Sequence, residues 1–386
     1  MKKQIICTFS LLMILLFVFC GKMSVKAEND AENNIYEDLL SEFDFSNVND
    51  SIFTDDDFSD INFEECVKTV INGDSYFKEK GFLPKVFSLL LKEVKGNLHI
   101  VLFLISFSVF GGLLSNLQSS FCSSGVSEIA FLSVYFVFSF VLVKGFAISF
   151  NLAKQTIESQ TAFIKACAPI YATAAASYGQ ITTASAVNTA FLFLIEICSS
   201  LITKYLLPSA KWIFLLSVVN NSSDKIQLTK IIRVLKQSIN WILGMAMTVF
   251  VGFLSLSGLK GAAIDNIGLK TVKYAMGSFV PVVGRLLSDT VDTVLSSAAL
   301  IKTSVSVAGI IIIIIMCIYP IIKLTVITWL YRITAGIIEP VSDKRLGNLM
   351  TAASDAVEIL FTLLITITVV MILAGGIIIM LCGIYK

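Results

Sequence analysis

The chain has 386 residues, of which 56% are hydrophobic and only 15% are charged, whereas an average soluble domain is about 45–50% apolar and about 25% charged. Together with a mean hydropathy of +0.83, this composition excludes an ordinary soluble protein. The apolar runs are continuous rather than alternating, so they favour helices over the strands of a barrel. The predicted fold class is therefore an all-α, polytopic integral membrane protein.

The first 27 residues have the pattern of a secretory signal peptide. Lys2 and Lys3 precede a mostly apolar core over residues 5–20, and Val25 and Ala27 form a V-x-A cleavage site. An uncleaved anchor helix is the alternative. Cleavage after Ala27 would place the segment that follows outside the cytoplasm.

Residues 28–82 are predicted to form an acidic, partly disordered extracytoplasmic leader. Fourteen Asp or Glu residues and no Lys or Arg lie between Glu28 and Glu65, although the net charge of the whole chain is only +1. Apolar residues are too sparse there for an independent core. The leader is either a solvated segment or an acidic strip that folds on a partner. Residues 83–97 follow as a predicted amphipathic helix at the membrane interface.

Residues 98–386 are predicted to form a membrane domain with six to eight spans, because several apolar runs reach the roughly 20 residues that cross a bilayer. The basic loops 220–238 and 258–273 flank one span, so the positive-inside rule cannot satisfy both, and 226–237 is a candidate for an interfacial helix. The firm candidates for spans are 98–117, 129–150, 186–207, 239–257, 305–328 and 357–382, and the ambiguous ones are 161–178 and 210–219.

A row of polar residues precedes the fifth firm span. Arg285, Asp289, Asp292 and Ser296 are spaced i, i+4, i+7 and i+11, so they share one face of a predicted helix whose other face is apolar. Such a helix cannot face lipid all round. Charged groups in a membrane body suggest a functional site, and the two interpretations are a polar pathway and an interfacial or inter-subunit helix.

Single ionisable residues also occur inside apolar runs. Glu196 is too short to reach the membrane surface and is a candidate for a buried partner of another polar group. Lys323 follows Pro320 by three residues, where a helix can bend, and its long side chain can instead reach the interface.

Small residues form a row on another predicted span. Gly244, Thr248 and Gly252 lie on one helix face, a spacing that permits close approach of a second helix. The row favours packing within the chain, and self-association is the alternative.

Motifs for catalysis and ligand binding are missing from the sequence. There is no GxxxxGK[ST] or G-x-S-x-G motif, His99 is the one histidine, and the eight cysteines lack metal-site spacing. We therefore expect a protein that is not an enzyme and has no catalytic residue, no cofactor and no metal. We also expect it to contact membrane lipids and to bind no nucleic acid.

Three stretches of the sequence resemble the stage III sporulation protein AE family. They are CAPIYATAAASYG at 167–179, DNIGLKTVKYAMGSFVPVVGRLLSDTVDTVLSSAALIKTSVSVAG at 265–309, and YRITAGIIEPVSDKRLGNLM at 331–350. The motif at 279–284 and the Glu339-Pro340 pair are specific in combination. The order of signal, acidic leader and polytopic body also fits, so the resemblance covers essentially the whole chain.

The resemblance implies a mother-cell protein in the membrane that surrounds the forespore of a spore-forming bacterium. It implies a non-enzymatic subunit of a trans-envelope channel that resembles secretion systems and supports late forespore gene expression. The expected partners are other proteins of the stage III operon, including a separate ATPase and ring-forming proteins. The family has no catalytic residues that would apply to this chain.

The stretch around Glu339 and Pro340 is predicted to be a turn at the membrane surface between the last two spans. Pro340 ends or kinks a helix and the neighbouring charges favour water, and the turn is either a plain polar loop or a contact for a neighbouring subunit. Two other functions are kept for the whole chain, a secondary transporter for a small solute and a membrane scaffold for signalling. Inverted internal repeats would favour the transporter, and none is evident in the sequence.

Overall fold

The fold of the chain is helical. A computed structural model describes residues 45–52, 62–72, 82–121, 124–177, 192–223, 227–253 and 283–383, and within them it contains helices and turns and no strand. Six helices in this part of the chain are long and apolar enough to cross a membrane. The predicted all-α, polytopic class is confirmed, and the six candidate spans of the described residues lie at the lower end of the expected range.

The helices are numbered here in chain order. Two are short and lie in the leader, and the others build the membrane body. They are α1 (Ser46–Asp50), α2 (Phe63–Ile71), α3 (Phe82–Phe121), α4 (Ser124–Ser177), α5 (Leu192–Leu201), α6 (Leu207–Asn220), α7 (Thr229–Phe253), α8 (Val283–Ile338) and α9 (Lys344–Gly383).

Helix α8 is the centre of the bundle and packs on α2, α3, α4 and α9. It runs antiparallel to α4, because Tyr331 lies against Gly145 at one level and Tyr171 lies against Gly309 at another. The hydroxyl of each tyrosine occupies the space that a Cβ of its glycine would need. These two glycines therefore allow the two longest helices to approach closely.

The bundle has two ends, which we call the turn end and the leader end. At the turn end, residues 339–343 join α8 to α9, and Tyr135 donates a hydrogen bond to the carbonyl of Val218. At the leader end, Phe63 of α2 packs against Phe163 of α4, with ring centroids 6.0 Å apart. Successive long helices run between these ends in opposite directions.

Several predicted segments merge into longer helices. Residues 83–97 are continuous with the span 98–117 in α3, and 129–150 is continuous with 161–178 in α4, up to Ser177. Residues 229–237 of the basic segment form the first turns of α7. Hydropathy alone divides such helices wherever a polar face interrupts an apolar run.

Residues 192–207 of one candidate span and the whole candidate 210–219 also belong to one helical rod. Between α5 and α6 the rod widens into a π-helical turn at Ile202–Leu206, which ends two residues before Pro208. Proline lacks the N–H of a regular helical turn, and a π-turn is one way to accommodate it. The short run 210–219 is therefore the end of a long helix.

The leader folds onto the body where the structure describes it. Helix α2 has its apolar face buried, and Phe63, Cys66 and Val67 are completely covered. The side chain of Asn62 caps α2 by accepting from the N–H of Glu64 at 2.9 Å, and Asn49 accepts from the N–H of Phe63. These segments use α4 and α8 as their core, which compensates for the lack of one of their own.

Candidate functional site

An ion pair joins the last two long helices of the bundle. Arg332 of α8 donates to a carboxylate oxygen of Glu358 on α9, 26 positions along the chain. The side chain of Glu358 is only 3% exposed, whereas that of Arg332 is 32% exposed. Because a buried carboxylate is costly without a partner, this contact fixes the register of α8 against α9 at that level.

The pair extends to a third helix. Arg332 also approaches Asp355 at 3.8 Å, and Lys236 of α7 donates to the other oxygen of Asp355 at 2.8 Å. These residues form a network of two bases and two acids, which we call the four-charge network, and its formal charge is zero. It is held by side chains from α7, α8 and α9 together.

One atom of the four-charge network is left without a hydrogen bond. The second carboxylate oxygen of Glu358, Oε1, is buried and has no partner among the described residues. An unpaired acceptor at this depth costs free energy. A water or a cation would be stabilised at this oxygen.

Two smaller polar contacts lie farther toward the leader end. Lys323 of α8 donates to the hydroxyl of Tyr319 at 2.7 Å and lies 3.8 Å from Glu93 of α3. Lys323 was predicted near a bend at Pro320, but α8 continues through this proline. The lysine is half-buried beside a carboxylate, so it does not simply extend to the surface.

A buried polar cluster ties α4, α8 and α9 together. Gln160 donates to the sulfur of Cys317, and Cys317 Sγ lies 3.0 Å from the hydroxyl of Thr368. All three side chains are fully buried. Such a cluster specifies one packing of the three helices, since any slip would leave its polar atoms unpaired.

Glu196 has a partner, but the pair is not buried. It forms an ion pair with Lys165 of α4, and both side chains are about half exposed, at 50% and 47%. The prediction of a buried role for Glu196 is wrong because α5 directs this residue to the outer surface of the bundle. The candidate polar face keeps Glu196 only as an outward-facing group.

The predicted turn at Glu339 and Pro340 is present between α8 and α9, and both residues are exposed. The C-terminal side of the turn is held in place, because a carboxylate oxygen of Asp343 accepts a hydrogen bond from the N–H of Arg345 at 2.9 Å. The guanidinium of Arg345 lies 3.7 Å from the centre of the Phe131 ring. These contacts hold the turn against α4, while its role as a subunit contact stays a prediction.

The predicted polar face near the start of α8 cannot be compared with the structure. Arg285, Asp289, Asp292 and Ser296 lie on α8, but their side chains are outside the described part of the structure, so their polar face stays a prediction.

The row of small residues lies on an open face of α7. Gly244, Thr248 and Gly252 are exposed, and apart from its chain neighbours and the backbone of its own helical turns, no atom lies within 4 Å of a Cβ built on either glycine. Packing of this row within the chain, the favoured interpretation, is therefore not what the structure has. The face is free for lipid or for a second helix.

The residues of the four-charge network were missed from the sequence. Asp355 and Glu358 are acids at i and i+3 at the start of the last apolar run, and Arg332 ends the preceding run. That pattern of opposite charges on two consecutive spans was the available signal. Across the described residues, no group of three His, Cys, Asp or Glu side chains is arranged to hold a metal ion.

Comparisons with known proteins identify the family. Residues 61–382 match the family model described as stage III sporulation protein AE. The stage III sporulation protein AE of Bacillus subtilis (strain 168) is 30% identical over 309 residues, which cover 80% of this chain and 77% of that protein. No solved structure matches the chain. The chain therefore belongs to the stage III sporulation protein AE family.

Proposed function

We propose that this chain is a non-enzymatic membrane subunit of a sporulation-specific channel or secretion-like complex between mother cell and forespore. It lies in the mother-cell membrane around the forespore, with its leader in the intermembrane space. A separate ATPase and ring-forming proteins of the same operon complete the complex. Family membership supports the role in sporulation, and the resemblance stated above supports the assignment to a channel.

The observation that carries the proposal is the four-charge network. Charged side chains inside an apolar helical body are costly, and they mark pathways or contacts that must rearrange. Here three helices share them, and Glu358 retains an oxygen without a hydrogen bond. Charges shared in this way suit a subunit whose helices line a pathway or form a contact with a partner.

A late forespore reporter in sporulating cells tests this function. Cells that lack the chain should complete engulfment and then fail to express the reporter, and the wild-type gene should restore expression. The variant Glu358→Gln should accumulate to normal levels with reduced reporter activity. Normal reporter activity in the deletion would contradict the proposal, and so would solute uptake by vesicles that contain this chain alone, which would indicate a transporter.

A further inference from the structure

Two buried oxygen atoms on the last two long helices have no hydrogen bond among the described residues. One is Oε1 of Glu358 on α9, and the other is the hydroxyl oxygen of Thr325 on α8. Both residues lie inside candidate membrane spans, Thr303–Ile338 for the threonine and Lys344–Gly376 for the acid. Hydrocarbon offers no hydrogen bonds, so polar atoms at such positions must be satisfied within the protein.

The register of α8 against α9 brings these two residues to the same level. Ser354 of α9 donates to the backbone carbonyl of Thr328 on α8 at 3.0 Å, so these two residues face each other. The two helices are antiparallel. One helical turn from this contact toward the leader end therefore leads to Glu358 on α9 and to Thr325 on α8.

The two side chains also lie on the same side of the contact between α8 and α9. Arg332, which donates to the other oxygen of Glu358, follows Thr325 by seven residues, so two turns of helix place both on one face of α8. Long side chains in a helix extend toward its N-terminal end, and Arg332 therefore extends toward Thr325. The carboxylate of Glu358 is consequently held on the face of α8 that carries Thr325.

Thr325 differs from neighbouring threonines in what its hydroxyl contacts. Thr328 and Thr334 of α8 and Thr362 of α9 each donate to the backbone carbonyl four residues earlier, at 2.7–2.9 Å. This bond is readily available to a threonine within a helix. Thr325 does not make it, although its hydroxyl oxygen is buried. The hydroxyl is therefore available to a group other than the backbone of its own helix.

A water and a cation could each satisfy Oε1 of Glu358, and the surrounding charges favour the water. The four-charge network has no net formal charge, and each of its acids has a base beside it. A cation at Oε1 would lie next to the guanidinium of Arg332, which already binds the same carboxylate. Like charges repel strongly where bulk water does not screen them, so a small neutral molecule fits this place better.

The polar groups at this place match the needs of one water molecule. A buried water typically makes about three hydrogen bonds to groups that lack other partners. The hydroxyl of Thr325 can donate to it, and Oε1 of Glu358 can accept from it. The guanidinium of Arg332 has further N–H groups beyond the one that binds Glu358, and it supplies a third partner.

We propose that Thr325, Glu358 and Arg332 form a binding site for one buried water molecule between α8 and α9. The water accepts from the hydroxyl of Thr325 and donates to Oε1 of Glu358, so both oxygens of the buried carboxylate are satisfied from the side of α8. It thereby adds Thr325 to the four-charge network and strengthens the register of α8 against α9. The site does not depend on the proposed role in sporulation.

Substitutions at Thr325 test the site through its hydroxyl. Thr325→Val keeps the size of the side chain and removes the hydroxyl, whereas Thr325→Ser retains the hydroxyl. The purified full chain and its variants are compared in detergent by apparent melting temperature, in sodium, potassium and choline chloride at one ionic strength. Thr362→Val is the matched control, because the hydroxyl of Thr362 bonds to its own helix.

The expected result is a clear drop in melting temperature for Thr325→Val, with a smaller drop for Thr325→Ser and for the control. The drop arises because the water loses a partner and the carboxylate is left incompletely satisfied. An unchanged or higher melting temperature for Thr325→Val would overturn the proposal, because removal of an unpaired buried hydroxyl has that effect. A native protein that sodium or potassium stabilises over choline would indicate a cation at the site and would overturn it equally.

A density map of the native full chain that resolves ordered waters gives the direct observation. It should show one isolated density within hydrogen-bond distance of both the Thr325 hydroxyl and Oε1 of Glu358. Direct contact between these two oxygens would contradict the proposal, and so would a protein side chain in the place of the water.

Discussion

Arg332 and Glu358 form an ion pair in which the carboxylate is almost completely buried and the guanidinium is not. This asymmetry matters, because Arg332 can also turn to Asp355 while Glu358 has no other cationic partner among the described residues. The pair therefore combines a fixed acid with a base that has two options. Turning Arg332 fully to Asp355 would leave the buried Glu358 without a cation, so the pair favours the observed packing of α8 against α9.

The first prediction concerns the coupling of this pair. Arg332→Leu should destabilise the protein by about 3–5 kcal/mol, since it strands the buried carboxylate of Glu358. Glu358→Leu should cost less, since Arg332 keeps Asp355 and is partly exposed. The double variant leaves Lys236 and Asp355 balanced and should lose less than the sum of the singles. Apparent melting temperatures in detergent measure the effect. Strictly additive losses would show that the two residues do not interact.

The matched control for that cycle is the exposed pair on α4. Lys154 and Glu158 are 3.7 Å apart and about half exposed, so replacing either by alanine should change stability by less than about 1 kcal/mol.

The second prediction concerns the close contact between α3 and the turn. A Cβ on Gly112 would collide with the backbone carbonyl of Val341, and backbone cannot rotate away as a side chain can. Gly112→Ala should therefore destabilise the protein by about 1–3 kcal/mol, measured as a lower apparent melting temperature. Gly244→Ala is the control, because nothing lies near that position and alanine favours a helix by about 1 kcal/mol. Equal responses of the two variants would refute the contact.

Sequence patterns predicted the fold class and the turn after Ile338, because both depend on local hydrophobicity and on proline chemistry. They did not predict that 83–97 and 98–117 share one helix. The charged residues Lys92, Glu93 and Lys95 interrupt the apolar run, and such an interruption looks like the end of a helix. Hydropathy also cannot separate residues that face lipid from residues inside a protein core. The isoleucines at 310–315 form one of the most hydrophobic runs of the sequence, yet other parts of the chain cover them.

The four-charge network could not be predicted from the sequence for a different reason. Lys236 and Asp355 are 119 positions apart, and only the antiparallel packing of the long helices brings them together. The polar face at Arg285 was visible from periodicity because its members share one helix. Contacts between helices need tertiary information that a single sequence does not contain.

A third prediction concerns the leader. Phe63 is completely buried between Phe45 and Phe163, and replacing a buried Phe with Ala costs about 3–5 kcal/mol. Phe63→Ala should release α2 and speed proteolytic cleavage within residues 45–72, measured on purified protein by mass spectrometry. Lys68→Ala on the exposed face of α2 should leave the cleavage rate nearly unchanged. Unaltered cleavage in the Phe63 variant would mean that α2 is not docked.

A fourth prediction concerns the polar face of α8. If Arg285 and Asp289 pair within a pathway or subunit contact, Arg285→Ala and Asp289→Ala should each reduce sporulation, since a stranded charge costs about 2.5–3.5 kcal/mol in a membrane. The double variant should be less defective than the two singles combined. Spore counts at matched protein levels decide the matter. Near-normal counts for all three variants would indicate hydrated charges on an interfacial helix.

Affinity purification of the tagged full chain from sporulating cells tests the central claim most directly. Membranes are cross-linked before extraction, and an unrelated polytopic protein with the same tag serves as the control. The account predicts that a separate ATPase and ring-forming membrane proteins copurify with this chain and are absent from the control. Recovery of the chain alone from cross-linked membranes, in cells that sporulate normally, would contradict its role as a subunit of a channel complex.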